Sequence, residues 1–282
     1  MALSPKLVII NYALILIFCL NTVSANIINF EDIINDRSNV MQVMSFYNGR
    51  NDEHLQNYAA LKMLENERMT FIEACGVGAT LTIGTSAVLP LPFGLVSIPI
   101  GVLTKFCLDR VAKISTISLV MEMLLEHFGD EGIKITPRIA TDSAIIDLFI
   151  KMPDKRPFAL MLRSTGESIV RWRADRKQFY ATRKRKGAKV WDSPSKAIEQ
   201  LKTIKYLSKQ KSPILGATNN ERSKFITKAV VLMGGTRIDP NFTPELLNDF
   251  GRTKALTICD NGLTYLVQKD NLIDFLLLPE TS

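Results

Sequence analysis

Two side chains stand out against apolar surroundings. Asp147 interrupts the run Ile145–Ile150 (IIDLFI), and Arg163 ends the run Phe158–Leu162 (FALML). A lone carboxylate in a buried strand requires a partner, because an unpaired charge in an apolar medium is costly. Asp147 can bond backbone amides at a bulge. It can pair with Arg163, whose guanidinium suits a carboxylate. It can also join a helix glutamate, Glu126 or Glu122, in holding a divalent cation that polarises a phosphate and activates water. A second constellation follows at once. Arg171, Arg173, Arg176, Lys177, Arg183, Lys184, Arg185, Lys186 and Lys189 fall within twenty residues, with Trp172, Phe179, Tyr180 and Trp191 interleaved. Cations gain by releasing counterions from phosphates, and aromatic faces stack on unpaired bases. Arg171, Trp172, Arg173, Arg176, Lys177 and the cations at 183–186 and 189 are therefore candidate nucleic-acid contacts. A solvated basic face, or one held against anionic lipid, is the alternative. Only two histidines, His54 and His127, and four scattered cysteines are present, which gives no zinc-ligand spacing and no disulfide framework.

The elements that must position these residues can be read from pattern. The runs at 145–150 and 158–162 form a hairpin turned by Pro153, Asp154 and Pro157. Neither alternates, so both faces are buried, as in the middle of an α/β sheet. Before them, Val111, Ile114, Ile117, Met121, Leu124 and Phe128 recur at helical spacing over 106–128, with Gly129 as the C-cap. Residues 133–140 read as an edge strand containing Pro137. SIVRWR (168–173) alternates and reads as a third partner strand, and Asp175–Tyr180 as helix. Asp192-Ser193-Pro194 opens a helix running toward Lys209. Strands follow at 229–233, 255–259 and 263–267, with helices at 244–250 and 271–277.

This order resembles the restriction-endonuclease-like superfamily, the PD-(D/E)xK nucleases, over roughly residues 110–260. A helix with glutamates precedes a strand, a strand with Asp, a turn, and a strand ending in a base. The resemblance implies an α/β domain with a mixed sheet flanked by helices. It places Asp147 and Glu126 as Mg²⁺ ligands and Arg163 in the position of the catalytic lysine. FALMLRS departs from the motif: Met161 stands where the second acid belongs, and Arg163 replaces the lysine. A thioether is a poor ligand for a hard cation, and arginine favours phosphate over a nucleophilic water. Unless Glu126, Asp142 or Glu167 completes the metal site, the pattern describes a nuclease scaffold turned toward phosphate binding.

Apolar, membrane-type segments precede this domain. Residues 1–25 carry Lys6, the apolar run Leu7–Leu20 and Val23-Ser24-Ala25, a signal peptide or signal-anchor. Residues 26–73 are polar, with a helix expected over 51–69. Residues 74–105 contain no charge before Lys105 and exceed the roughly 20 residues of one bilayer crossing. They form either one kinked span or a hairpin that enters and leaves on one side. A single span leaves the basic domain, 106–282, in the cytoplasm; a hairpin combined with an exported N-terminus places it outside. The net charge of +7 favours a polyanionic or anionic-membrane partner. Three readings follow: a membrane-tethered nucleic-acid-binding protein on a degenerate nuclease domain, a Mg²⁺-dependent nuclease with a migrated acid, and a membrane-associated interaction protein. The first expects Asp147, Arg163, Arg171 and Lys184 on one surface. Oligomeric state is not specified by these patterns.

Overall fold

The computed structural model describes residues 52–88, 94–183, 186–210, 212–216, 218–239, 247–250, 253–259 and 262–278. The apolar N-terminal run and the polar residues up to 51 lie outside the described residues.

Two long helices come first, α1 (Asp52–Val88) and α2 (Gly94–Phe128). The uncharged stretch is divided between the end of α1 and the start of α2. Among the described residues no helix is long and apolar enough to cross a membrane, so the expected single span is not found. The α2 stripe behaves as its spacing predicts: Ile114, Ile117, Met121, Leu124 and Phe128 are all buried. Its exit differs from the expected Gly129 cap. A 3₁₀ turn covers Gly129–Glu131, and Gly132, at φ 83°, supplies the left-handed residue.

A mixed seven-stranded sheet follows. Its strands are β1 (Lys134–Ala140), β2 (Ile145–Lys151), β3 (Pro157–Ser164), β7 (Thr227–Met233), β9 (Leu247–Phe250), β10 (Thr253–Cys259) and β11 (Leu263–Gln268). The spatial order is β1-β2-β3-β7-β11-β10-β9. The first three strands are antiparallel neighbours, whereas β3, β7 and β11 run parallel. A smaller sheet, ordered β6-β5-β4-β8, is inserted between β3 and β7 and just beyond. It consists of β4 (Ser168–Arg173), β5 (Gln178–Arg183), β6 (Lys186–Val190) and β8 (Thr236–Ile238). Short helices complete the chain: α3 (Asp192–Lys202), α4 (Lys205–Lys209), α5 (Asn219–Arg222) and α6 (Leu272–Leu277).

Four sequence expectations are corrected here. SIVRWR pairs in the small sheet rather than extending the large one. The expected helix over 175–180 is a turn, with Lys177 at φ 48°, leading into β5. It is a turn because Trp172 and Phe179 pair across the hairpin and point to the same core. The expected helix over 244–250 is in part strand β9, whose residues pair with β10. The expected helix from Asp192 to Lys209 is broken at Thr203–Ile204, between α3 and α4.

Two cores sandwich the large sheet. On one face Leu148, Ile150, Leu160 and Val231 pack against α1, α2 and α6 through Leu64, Ile117, Leu124 and Phe275. On the other, Phe149, Ala159, Met161 and Val230 meet Ala197, Ile198 and Leu201 of α3 and Val170, Trp172 and Phe179 of the small sheet. Six consecutive residues of β3, Pro157–Leu162, are buried, as expected for a strand covered on both faces. Each such leucine or phenylalanine contributes roughly 1.5–3 kcal/mol.

Candidate functional site

Asp147 is fully buried on β2. Its carboxylate is approached from one helix and from its own sheet. Lys113 Nζ, on α2, stands 2.8 Å from Oδ1. Arg163 Nη1, at the end of β3, lies 2.8 Å from Oδ2, and the Leu162 amide donates to the same oxygen at 2.9 Å. Arg163 is itself oriented, donating through Nη2 to Gln200 Oε1 of α3 at 2.9 Å and through Nη1 to the Leu162 carbonyl at 2.7 Å. Opposite Asp147 in the β1–β2 register, Arg138 takes a left-handed φ of 54° and turns to Glu67 of α1, at 2.5 and 2.6 Å. The strand register is the same on either side of this position.

Two cations of the chain itself face the charge of Asp147. Lys113 and Arg163 each occupy one oxygen of Asp147, whereas a hard divalent cation needs several converging oxygens. Among the described residues no group of three or more His, Cys, Asp or Glu side chains could hold a metal ion. Glu126 cannot assist. It is exposed on α2, thirteen residues beyond Lys113, or about 20 Å along the axis at 1.5 Å per residue. Glu122 is also exposed and stands about 13 Å beyond Lys113 by the same rise. The helix position facing Asp147 is a lysine, so Glu126 as metal ligand or catalytic residue is corrected. Asp142 and Glu167 are exposed and absent from the contacts of Asp147. Met161 is fully buried core. The site residues present do not fit Mg²⁺.

The basic run lies on the small sheet. In β4, Ser168, Val170 and Trp172 face inward, while Ile169, Arg171 and Arg173 face out. Trp172, expected among the binding residues, packs on Phe179 with ring centroids 4.6 Å apart. Its place in the core follows from that strand alternation. The outward aromatic is Tyr180, paired in register with Arg171. Arg173 Cζ stands 5.9 Å from the Tyr180 ring centroid, within cation–π range, and Arg176 donates to its hydroxyl at 3.5 Å. Arg237, on β8, is exposed beside Ile169. Arg183 donates to Thr165 Oγ1 at 3.1 Å, two residues beyond Arg163. Lys189 is exposed on β6. Lys184 and Arg185 lie outside the described residues, as does the side chain of Lys186.

Acids temper this face. Arg171 Nε is held 2.6 Å from Asp239, whose side chain is nearly buried, so Arg171 is committed to the fold. Arg173 bonds Asp175 through both Nε and Nη2. Those bonds, then the charges of Arg173 and Arg176, hold the Asp175 carboxyl below its usual range. Exposed, solvent-screened pairs of this kind contribute little, so a phosphate can replace Asp175 at little cost.

The two constellations therefore occupy different layers. Asp147 and Arg163 do meet, but within the body, whereas Arg173 and Arg237 are exposed, and Tyr180 half-buried, on the outer side of the small sheet. The expected single surface is corrected to two, connected through Arg183 and Thr165. A cleft of about 560 Å³ opens on the inner side, lined by Trp172, Lys177, Ser195, Lys196, Gln200 and Ile258. Pattern reading missed Gln200, Arg237 and the role of Lys113, which carries no signal beyond a charge beside an apolar helical stripe. Compared with known proteins, the chain matches no family model, no curated protein and no solved structure, so its functional reading rests on this geometry.

Proposed function

We propose that the chain binds single-stranded nucleic acid on the outward face of the small sheet and does not hydrolyse it. The scaffold is read as a nuclease-like one in which ion pairs replace the metal. The observation that carries the reading is Tyr180, half-buried on the outward strand face, flanked by Arg173 and Arg176, with Arg237 exposed on the same face. An aromatic face among cations accepts a stacked base while the cations track the backbone. The nuclease-like part is supported by the placement of Asp147 on the second strand and Arg163 on the third, within 2.8 Å, beneath a helix that faces the carboxylate. Absence of hydrolysis follows because both carboxylate oxygens already face cations and, among the described residues, no acidic cluster converges on them.

Binding of a fluorescent single-stranded oligonucleotide by the full chain tests this. The logarithm of the affinity is expected to fall linearly with the logarithm of salt, by roughly 0.7 per neutralised phosphate. Tyr180→Ala is expected to weaken binding by about 1–3 kcal/mol, the usual cost of one lost base stack. Arg173→Ala should reduce the salt slope by roughly 0.7, the share of one phosphate contact. Absence of binding at low salt removes the proposal. Mg²⁺-dependent cleavage abolished by Asp147→Ala would replace it with the nuclease reading.

A further inference from the structure

Residues 74–104 contain thirty-one uncharged residues in succession. Their two ends lie side by side. Cys75 Sγ is 3.9 Å from the Thr104 carbonyl. The stretch therefore leaves and re-enters the fold at one place, as the helical residues 76–88 of α1 and 94–103 of α2. At 1.5 Å per residue these arms extend about 20 and 15 Å, less than the roughly 30 Å hydrocarbon core.

The flanking residues of both arms belong to one body. Asn57 Nδ2 donates to the Ile133 carbonyl at 2.7 Å, and its Oδ1 accepts the Ile135 amide at 2.9 Å. Leu64 is buried against the sheet, and Glu67 holds Arg138. An arrangement with residues 52–73 and 106–278 on opposite sides of a membrane would break all of these contacts.

At the base of the arms, large apolar side chains face solvent: Met69 and Ile72 on α1, and Phe106 and Leu108 on α2, the last two more than half exposed. Lys105 is exposed among them, as are the acids Glu73 and Asp109. Uncharged helix ends, a collar of exposed apolar residues and a charged rim form the order met on crossing from hydrocarbon to headgroups.

We infer that the two helical arms, residues 76–88 and 94–103, insert side by side into one leaflet of a lipid bilayer, with the collar at the headgroup level. The whole α/β body then stands on the same side as residues 52–73. Helical arms satisfy their own backbone hydrogen bonds in hydrocarbon. This goes beyond the nucleic-acid reading and stands independently of it.

The full chain carrying Leu95→Trp tests the insertion with phosphatidylcholine vesicles containing phosphatidylserine and brominated acyl chains. The native tryptophans, Trp172 and Trp191, lie on the body. The added emission is expected to shift to shorter wavelength and lose intensity to the bromines. The quenching should persist at about 1 M NaCl, where the screening length is about 3 Å. Adding Ile83→Asp and Ile98→Asp should abolish the quenching and leave the thermal midpoint of the body unchanged. Cysteines introduced as Lys62→Cys and Lys189→Cys, read peptide by peptide, should label equally with an impermeant maleimide from one side of sealed vesicles. Unquenched emission, quenching lost in high salt, quenching indifferent to the two aspartates, or labelling from opposite sides would each overturn the inference. So would self-association of the soluble chain with no vesicle binding.

Discussion

Asp147 illustrates how a residue with catalytic potential becomes a structural one. Its carboxylate is buried, and Lys113, Arg163 and the Leu162 amide compensate its lost hydration. Removing one member of such a set costs more than the set contributes, because the remaining charges lose their partner. Asp147→Ala is expected to destabilise the fold by about 3 kcal/mol, at the low end for buried pairs, since Lys113 can swing to water. The triple variant Asp147→Leu, Lys113→Met, Arg163→Met should recover most of that loss. Urea denaturation with unchanged slope measures both. Asp147 and Arg163 were legible as a pair because a lone acid in an apolar strand requires a cation. Lys113 was not legible, because the lysine that reaches the acid comes from another layer.

At the scale of elements, burial and register decide what local pattern leaves open. The hairpin of β2 and β3 was readable because two non-alternating apolar runs bounded by prolines have few alternatives. SIVRWR was readable as a strand, but its sheet was not, since alternation reports one buried face without naming what buries it. The turn over 174–177 resembles a helix start locally and is overridden by Trp172 and Phe179 meeting in one core. The attachment of α1 to β1 rests on Asn57, a buried side chain bonded to both a carbonyl and an amide. Asn57→Leu leaves both backbone groups unsatisfied and is expected to cost about 2 kcal/mol. Amide exchange at Ile135 should accelerate relative to the core of β3, while hydrophobic packing at Leu64 keeps α1 docked.

At the scale of the whole molecule, charge both stabilises the fold and shapes its partners. Glu221, on α5, accepts from Lys155 at 3.0 Å and from Lys151 at 3.3 Å, tying a helix late in the chain to the β2–β3 turn. Those two bonds hold its carboxyl down to about 2. A depressed carboxyl binds fewer protons folded than unfolded, so its contribution is present above the ordinary value of 4.5 and is lost as pH falls from there toward 2. Glu221→Gln should flatten the acid limb of a stability-versus-pH curve in that window and leave its neutral-to-alkaline shape unchanged. The amino-acid sequence alone determined an α/β domain with buried central strands, an acid and a base at their ends, a cluster of cations after them and a long uncharged stretch before them. Period, turn chemistry and charge are local properties, and local properties are written in order along the chain. Only the tertiary structure decided that Lys113 and not Glu126 faces Asp147, that Trp172 turns inward while Tyr180 faces out, and that both flanks of the uncharged stretch join one body. Each of these depends on which distant surfaces bury one another, a choice made by the packing of the whole molecule.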